Sequence, residues 1–224
     1  MSGADDKADR LRRGPKLDPA GPEFWDVRFR DGFTPWDAGG VPAALRDFLR
    51  RSPAKLRVLI PGCGSAYEAR AFAAAGHEVV AIDFSDAALA AARRVLGSWA
   101  HLARRGDFFA FEAGAPFDLV YERAFLCALP RVHWSRWAQR VAEVLGPAGR
   151  LAGFFFWNDD ERGPPFGLKP GEIESLLAPA LERVEDAAVA DSIAVFAGRE
   201  RWQVWRQRPQ GVKESPNSSA ERSK

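Results

Sequence analysis

Two glycines and one carboxylate, Gly62, Gly64 and Asp83, are the residues whose types and spacing first suggest chemistry. The run Val58-Leu59-Ile60-Pro61-Gly62-Cys63-Gly64-Ser65-Ala66 reads as a strand turning sharply into a helix. Glycine suits such a turn because it accepts positive φ and lets a ligand come close to the backbone. The first amides of the helix then face whatever binds there. Asp83 follows about 20 residues later at the end of the next apolar run, where a carboxylate can accept hydrogen bonds from a ribose diol.

Dinucleotide sites share this layout but carry a third glycine, and Tyr67 occupies that position here. A tyrosine would obstruct packing around a pyrophosphate, which argues against NAD or FAD and for a ligand without phosphates. S-adenosylmethionine has an adenosine for the acid and an amino-acid end for the loop. Glycines in a plain structural turn are the simpler alternative. Cys63 lies in the same loop, and a small residue filling the turn explains it better than a nucleophile does.

Further along, Gly106-Asp107-Phe108-Phe109 offers Asp107 to an adenine amino group and Phe108 to its ring. A loop acid beside core aromatics is the equal alternative. Glu122 and Arg123 end another apolar run, on the carboxyl edge where ligands of such folds bind, and either line the site or pair with each other. His77, His101 and His133 read as surface or cap residues, and no Cys/His cluster has metal-ligand spacing, so no metal is expected.

Those residues need a sheet to hold them. Apolar runs at 56–60, 77–82, 117–121 and 151–157 read as buried strands, and helices are expected at 67–75, from the Ser85-Asp86 cap to 96, at 133–145 and at 170–177. Gly76 and Gly146-Pro147-Ala148-Gly149 mark helix ends. Strand alternating with helix predicts an α/β, Rossmann-like, doubly wound parallel sheet. Late strands at 184–190 and 202–206 have no long helix between them and should form an antiparallel hairpin at one edge. Residues 1–20 and 209–224 lack periodicity and read as a flexible arm and tail, leaving one domain at 21–208.

Composition narrows the class. A chain of 224 residues can bury a sizeable core, and a net charge of +2 without a basic run gives no reason to expect a nucleic-acid partner. No segment approaches the roughly 20 apolar residues of a membrane span, and two cysteines do not make a disulfide framework. A cytoplasmic monomer acting on a small molecule is the expectation.

With these motifs in view, the sequence resembles the thiopurine S-methyltransferase superfamily, especially its thiol and halide methyltransferase branch, over about residues 22–207. The resemblance rests on Phe24-Trp25-Asp26, Gly32-Phe33-Thr34-Pro35-Trp36-Asp37, Pro61-Gly62-Cys63-Gly64, Gly106-Asp107-Phe108-Phe109, Phe117-Asp118-Leu119-Val120, Gly163-Pro164-Pro165-Phe166 and Gly198-Arg199-Glu200-Arg201-Trp202. It implies a seven-stranded sheet, S-adenosylmethionine as cofactor, and a helical lid over about 21–52 whose Trp25, Phe29 and Trp36 close on the methionine end. Core aromatics under a capping helix are the alternative reading of that segment. The plant enzymes of the branch tend to have Trp where this chain has Phe29. Arg123 matches the arginine of thiopurine-type members, where the thiol and halide branch has tyrosine.

The expected activity is methyl transfer to a small soft nucleophile such as a thiol, sulfide, a thiopurine-like heterocycle or a halide. A thiol needs little base catalysis, and Arg123 supplies a cation that would favour its thiolate. The two prolines of Gly163-Pro164-Pro165-Phe166 are expected to shape a wall of the acceptor pocket. A nicotinamide-dependent oxidoreductase on the same topology and a non-catalytic cofactor-binding module are the competing readings.

Overall fold

The computed structural model describes residues 17–52 and 54–209, so the expected arm and tail lie almost entirely outside the described residues. Among these, seven strands form one sheet: β1 (Arg57–Pro61), β2 (Glu78–Asp83), β3 (Ala103–Arg105), β4 (Phe117–Arg123), β5 (Leu145–Phe156), β6 (Leu181–Ala188) and β7 (Glu200–Gln207). Their spatial order is β3-β2-β1-β4-β5-β7-β6. The first five pair in parallel. β7 runs antiparallel between β5 and β6, so the C-terminal hairpin sits at the edge as expected.

Strand alternation sends neighbouring side chains to opposite faces, so each central strand feeds two cores. On β1, Val58 and Ile60 join one core and Leu59 the other; on β2, Val79 and Ala81 oppose Val80 and Ile82. The first face is covered by α2 (Ala43–Arg51), α3 (Tyr67–Ala74) and α4 (Asp86–Leu96), through Leu45, Phe48, Phe72, Leu89 and Leu96. The second is covered by α5 (Trp134–Val144) and α6 (Glu172–Leu177), through Trp134, Trp137, Val141, Ile173 and Leu177. This is the doubly wound α/β arrangement that the sequence pattern predicts.

Helix ends follow local chemistry. The Ser85 hydroxyl accepts the Ala88 amide and caps α4, as read from Ser85-Asp86. A further helix, α1 (Pro22–Asp31), precedes α2 and carries the first lid aromatics. It ends at Gly32, whose φ of +63° lets the amides of Gly32 and Phe33 return to the carbonyls of Phe29 and Arg28.

Local details differ from the sequence reading at four points. The helix expected at 133–145 stops at Val144, and β5 already starts at Leu145. Gly146–Gly149 therefore lie in a strand despite their turn-like composition, with the pairing to β4 shifting register between Phe117 and Leu119. β3 has only three residues, two of them exposed arginines, and no periodicity could reveal it. The late strand read at 184–190 runs Leu181–Ala188 instead. His77 is buried rather than a surface or cap residue, and its Nδ1 accepts the Leu56 amide at 3.1 Å.

Close contact between β4 and β5 depends on one glycine. A Cβ on Gly153 would stand 2.0 Å from the Glu122 carbonyl oxygen, on backbone that cannot swing aside. Gly153→Ala is expected to lower the unfolding free energy by about 3 kcal/mol or more, read by urea denaturation. A loss below about 1 kcal/mol would show that the two strands can separate freely.

Candidate functional site

The chain winds outward from β1 through β2 to β3, then returns to place β4 on the other side of β1. At such a switch point the carboxyl ends of the strands open a crevice. A cavity of about 290 Å³ lies there, close to the lower end of small-molecule sites at roughly 300–1,000 Å³. Its floor is the loop after β1 together with the ends of β2 and β4; its cover comes from α1 and the segment from Phe33 to Gly40.

The loop is shaped by glycine for a visible reason. Gly62 has φ +57°, and a Cβ there would meet the Phe125 ring at 2.3 Å. Gly64 has φ +52°. Ala66 adopts φ +60° without being glycine, a strained left-handed conformation that costs about 1 kcal/mol or more. The Cys63 amide donates to the Ile82 carbonyl at 3.0 Å and lashes the loop to β2. Burial, reinforced by the Asp83 carboxylate, pushes the Cys63 thiol well above its ordinary range, so it stays protonated and fills the turn.

Asp83 is nine-tenths buried, with one carboxylate oxygen accepting the Gly64 amide at 3.0 Å and the other the Ser85 amide at 2.9 Å. Burial pushes its carboxyl up to about 6 in spite of those amides. Each oxygen keeps a lone pair, and the residue lines the cavity.

Arg123 enters from the end of β4. Its guanidinium lies over the Phe154 ring, 4.1 Å from the centroid, and pairs with Glu200 at 3.7 Å. Glu200 in turn accepts the Ser192 hydroxyl at 2.7 Å. Glu122, the partner considered from the sequence, is buried and accepts the amides of Phe125 and Leu126, so it builds the turn after β4 rather than the cavity wall. Burial raises the Glu122 carboxyl to about 7. One Arg123 nitrogen, Nη1, and the Tyr121 hydroxyl are buried without a hydrogen bond.

The cover is aromatic. Trp36 meets Trp25 edge-on at 5.4 Å and Phe29 at 6.0 Å, and all three line the cavity. Two aspartates hold it down. Asp26 accepts the Ser85 hydroxyl and, at 3.0 Å, the Ala87 amide at the start of α4. Asp37 accepts the Ser65 hydroxyl beside the glycine loop. Burial opposes ionisation of Asp26, yet these hydrogen bonds and the nearby Arg30 and Arg105 hold its carboxyl below the usual range.

Of the residues singled out from the sequence, Trp25, Phe29, Trp36, Gly62, Cys63, Gly64, Asp83 and Arg123 all line the one cavity, and Pro164 and Pro165 form part of its wall. Asp107 and Phe108 do not line it. Asp107 is exposed and accepts the Phe109 amide, while Phe108 is buried edge-on against Phe125. None of the three histidines lines it. Among the described residues no group of His, Cys, Asp and Glu could hold a metal, and no helix is long and apolar enough to cross a membrane. Sequence reasoning missed Glu68, Tyr121 and Phe125, which reach the cavity from α3, from β4 and from the turn after it.

Comparison with known proteins agrees with this geometry. The sequence pattern of the thiopurine S-methyltransferase (TPMT) family matches residues 20–208. Thiocyanate methyltransferase 1 of Brassica oleracea is 30% identical over 189 residues, 81% of this chain and 84% of that protein. Thiopurine S-methyltransferase of Xanthomonas campestris pv. campestris (strain 8004) is 30% identical over 175 residues, 69% of this chain and 80% of that protein. Among solved structures, the 1,6-didemethyltoxoflavin-N1-methyltransferase of Burkholderia thailandensis, with bound S-adenosylhomocysteine, superimposes with a TM-score of 0.66. It covers 92% of this chain and 91% of its own, at 17% identity, a likeness of fold.

The Asp26 contacts make a prediction about the cover. Asp26→Ala removes the acceptor for two groups at the start of α4 and is expected to cost about 1–3 kcal/mol of stability. Hydrogen exchange across residues 22–37 should accelerate at least tenfold. Unchanged exchange there would mean that ring packing alone holds the cover.

Proposed function

The chain belongs to the thiopurine S-methyltransferase family, and from that premise we propose that it moves a methyl group to a small soft nucleophile: a thiol, sulfide, a thiopurine-like heterocycle or a halide. The broader activity, S-adenosylmethionine-dependent methyl transfer, is that of the family and of relatives such as those named above. The observation that carries the acceptor class is the buried Arg123 guanidinium in a cavity wall where no histidine stands.

Bound S-adenosylmethionine supplies an electrophilic methyl group on a sulfonium. Asp83 accepts hydrogen bonds from the ribose diol, and the backbone at Gly62 and Gly64 admits the chain leading to the amino-acid end. Trp25, Phe29 and Trp36 present ring faces and edges around the sulfonium, where aromatic faces attract a cation. Gly106 donates its amide to the Asp83 carbonyl, but Asp107 and Phe108 stand outside the cavity wall, so the adenine is not assigned to them.

In-line displacement asks mainly for alignment and exclusion of water. Phe196, Pro164 and Pro165 close the acceptor side with apolar surface. A thiol is already a few per cent thiolate at neutral pH, and Arg123 would raise that share, so no separate base is required. Tyr67 opens α3 where a dinucleotide site needs glycine, and the relatives are methyltransferases, which sets the nicotinamide reading aside. An intact cover and wall favour an enzyme over a silent binding module. We place it in the cytoplasm as a monomer, where its two free, buried thiols would stay reduced.

Three outcomes are expected. Asp83→Ala should weaken S-adenosylhomocysteine binding at least tenfold by calorimetry, and unchanged affinity would remove Asp83 from the ribose. Because the diol is held by the ionised carboxylate, affinity should fall about tenfold from pH 7 to pH 5 as Asp83 takes up its proton near pH 6. In a panel of thiols, sulfide, iodide and a mercaptopurine, release of S-adenosylhomocysteine should follow the soft acceptors and drop at least tenfold in Arg123→Ala. Turnover restricted to oxygen or nitrogen acceptors would sink the soft-nucleophile reading.

A further inference from the structure

Besides Asp83, two other carboxylates line the cavity: Asp37 and Glu68. Asp83 accepts two amides at the ribose end, and Asp37 accepts the Ser65 hydroxyl and the Gly39 amide. Glu68, the second residue of α3, accepts its own backbone amide and no hydrogen bond from any other residue among the described residues. A half-buried carboxylate left this way in the wall of a largely apolar cavity is open to a donor from a bound ligand.

Its surroundings indicate which kind of donor. Glu68 feels the charges of Arg123 and Asp37, and the buried Tyr121 hydroxyl, itself without a hydrogen bond, feels Glu68 in turn. Glu68, Arg123 and Tyr121 all line the same cavity. β1 separates β4 from β2, so Arg123 and Asp83 end strands roughly 10 Å apart across the sheet. The end of β1 itself, Ile60-Pro61, carries no charge. A carboxylate without a partner side chain, sharing one cavity with a guanidinium and with Asp83, matches a zwitterionic amino acid joined to a nucleoside.

We propose that Glu68 binds the ammonium group at the amino-acid end of S-adenosylmethionine. This rests on the cofactor reading above and adds a residue that the sequence motifs did not assign. Arg123 lies beside the same end, and its five donors leave others to face the acceptor. Burial lifts the Glu68 carboxyl above its usual range, with Arg123 opposing; an ammonium partner would restore the charged form.

The experiment compares two ligands by calorimetry on the full chain: S-adenosylhomocysteine and 5′-S-(3-carboxypropyl)-5′-thioadenosine, which differs only in lacking the amino group. Wild-type protein should prefer the first at least tenfold. Glu68→Gln, nearly isosteric, should lose most of that preference while binding the deaminated ligand as wild type does. Glu68→Asp, which keeps the charge, should recover part of it. Thermal melts without ligand check that each variant is folded, and Glu68→Ala gives the same comparison should the glutamine variant fail that check. An unchanged preference overturns the proposal, and so does equal loss of both ligands, which would make Glu68 a shaping residue. A wild-type protein that binds neither ligand would instead overturn the cofactor reading.

Discussion

One carboxylate joins the two loops on which the site is built. Asp83 takes the Gly64 amide from the loop after β1 and the Ser85 amide from the turn into α4, while its own carbonyl takes the Gly106 amide from beyond β3. Three successive strand ends are thereby fixed to one residue. The cost is a buried anion, visible in a carboxyl raised to about 6, and two amide donors offset part of it. Ser85 passes the constraint on, since its hydroxyl both caps α4 and meets Asp26 of α1.

The other side of the crevice is held by buried charge. Arg123 and Glu200 form an ion pair whose side chains are about a tenth exposed or less, with Ser192 as a second anchor. Such a pair adds little net stability over an apolar equivalent, yet losing one partner leaves a buried charge and costs about 3–5 kcal/mol. Its value here is placement: the pair links β7 to β4 across β5, and the guanidinium lies over the Phe154 ring. Glu122, on the opposite face, spends its acceptors on the turn that thrusts Phe125 against Gly62. The glycine loop is therefore shaped from β4 as much as from its own sequence.

The aromatic cover combines weak contacts with two specific ones. Edge-on ring pairs contribute about 0.5–1.5 kcal/mol each beyond burial. Asp26 and Asp37 tie the cover to the two loops after β2 and β1, through Ser85 and Ser65.

The sequence by itself determined whatever depends on neighbours along the chain. The glycine turn, Asp83 at a strand end, the Ser85 cap and the apolar runs of β1, β2 and β4 were legible because backbone conformation and burial period are local properties. Motif order carried the cover residues Trp25, Phe29 and Trp36. What only the tertiary structure decided was partnership across the sheet. It gave Arg123 to Glu200 rather than to its neighbour, set Asp107 and Phe108 outside the cavity wall, and turned Glu68 into it. It also made strands of Ala103–Arg105 and the Gly-Pro stretch of β5, against their composition. The reason is physical: pairing energy comes from strands that meet only when the sheet is assembled in the order β3-β2-β1-β4-β5-β7-β6, and residue spacing does not encode that order.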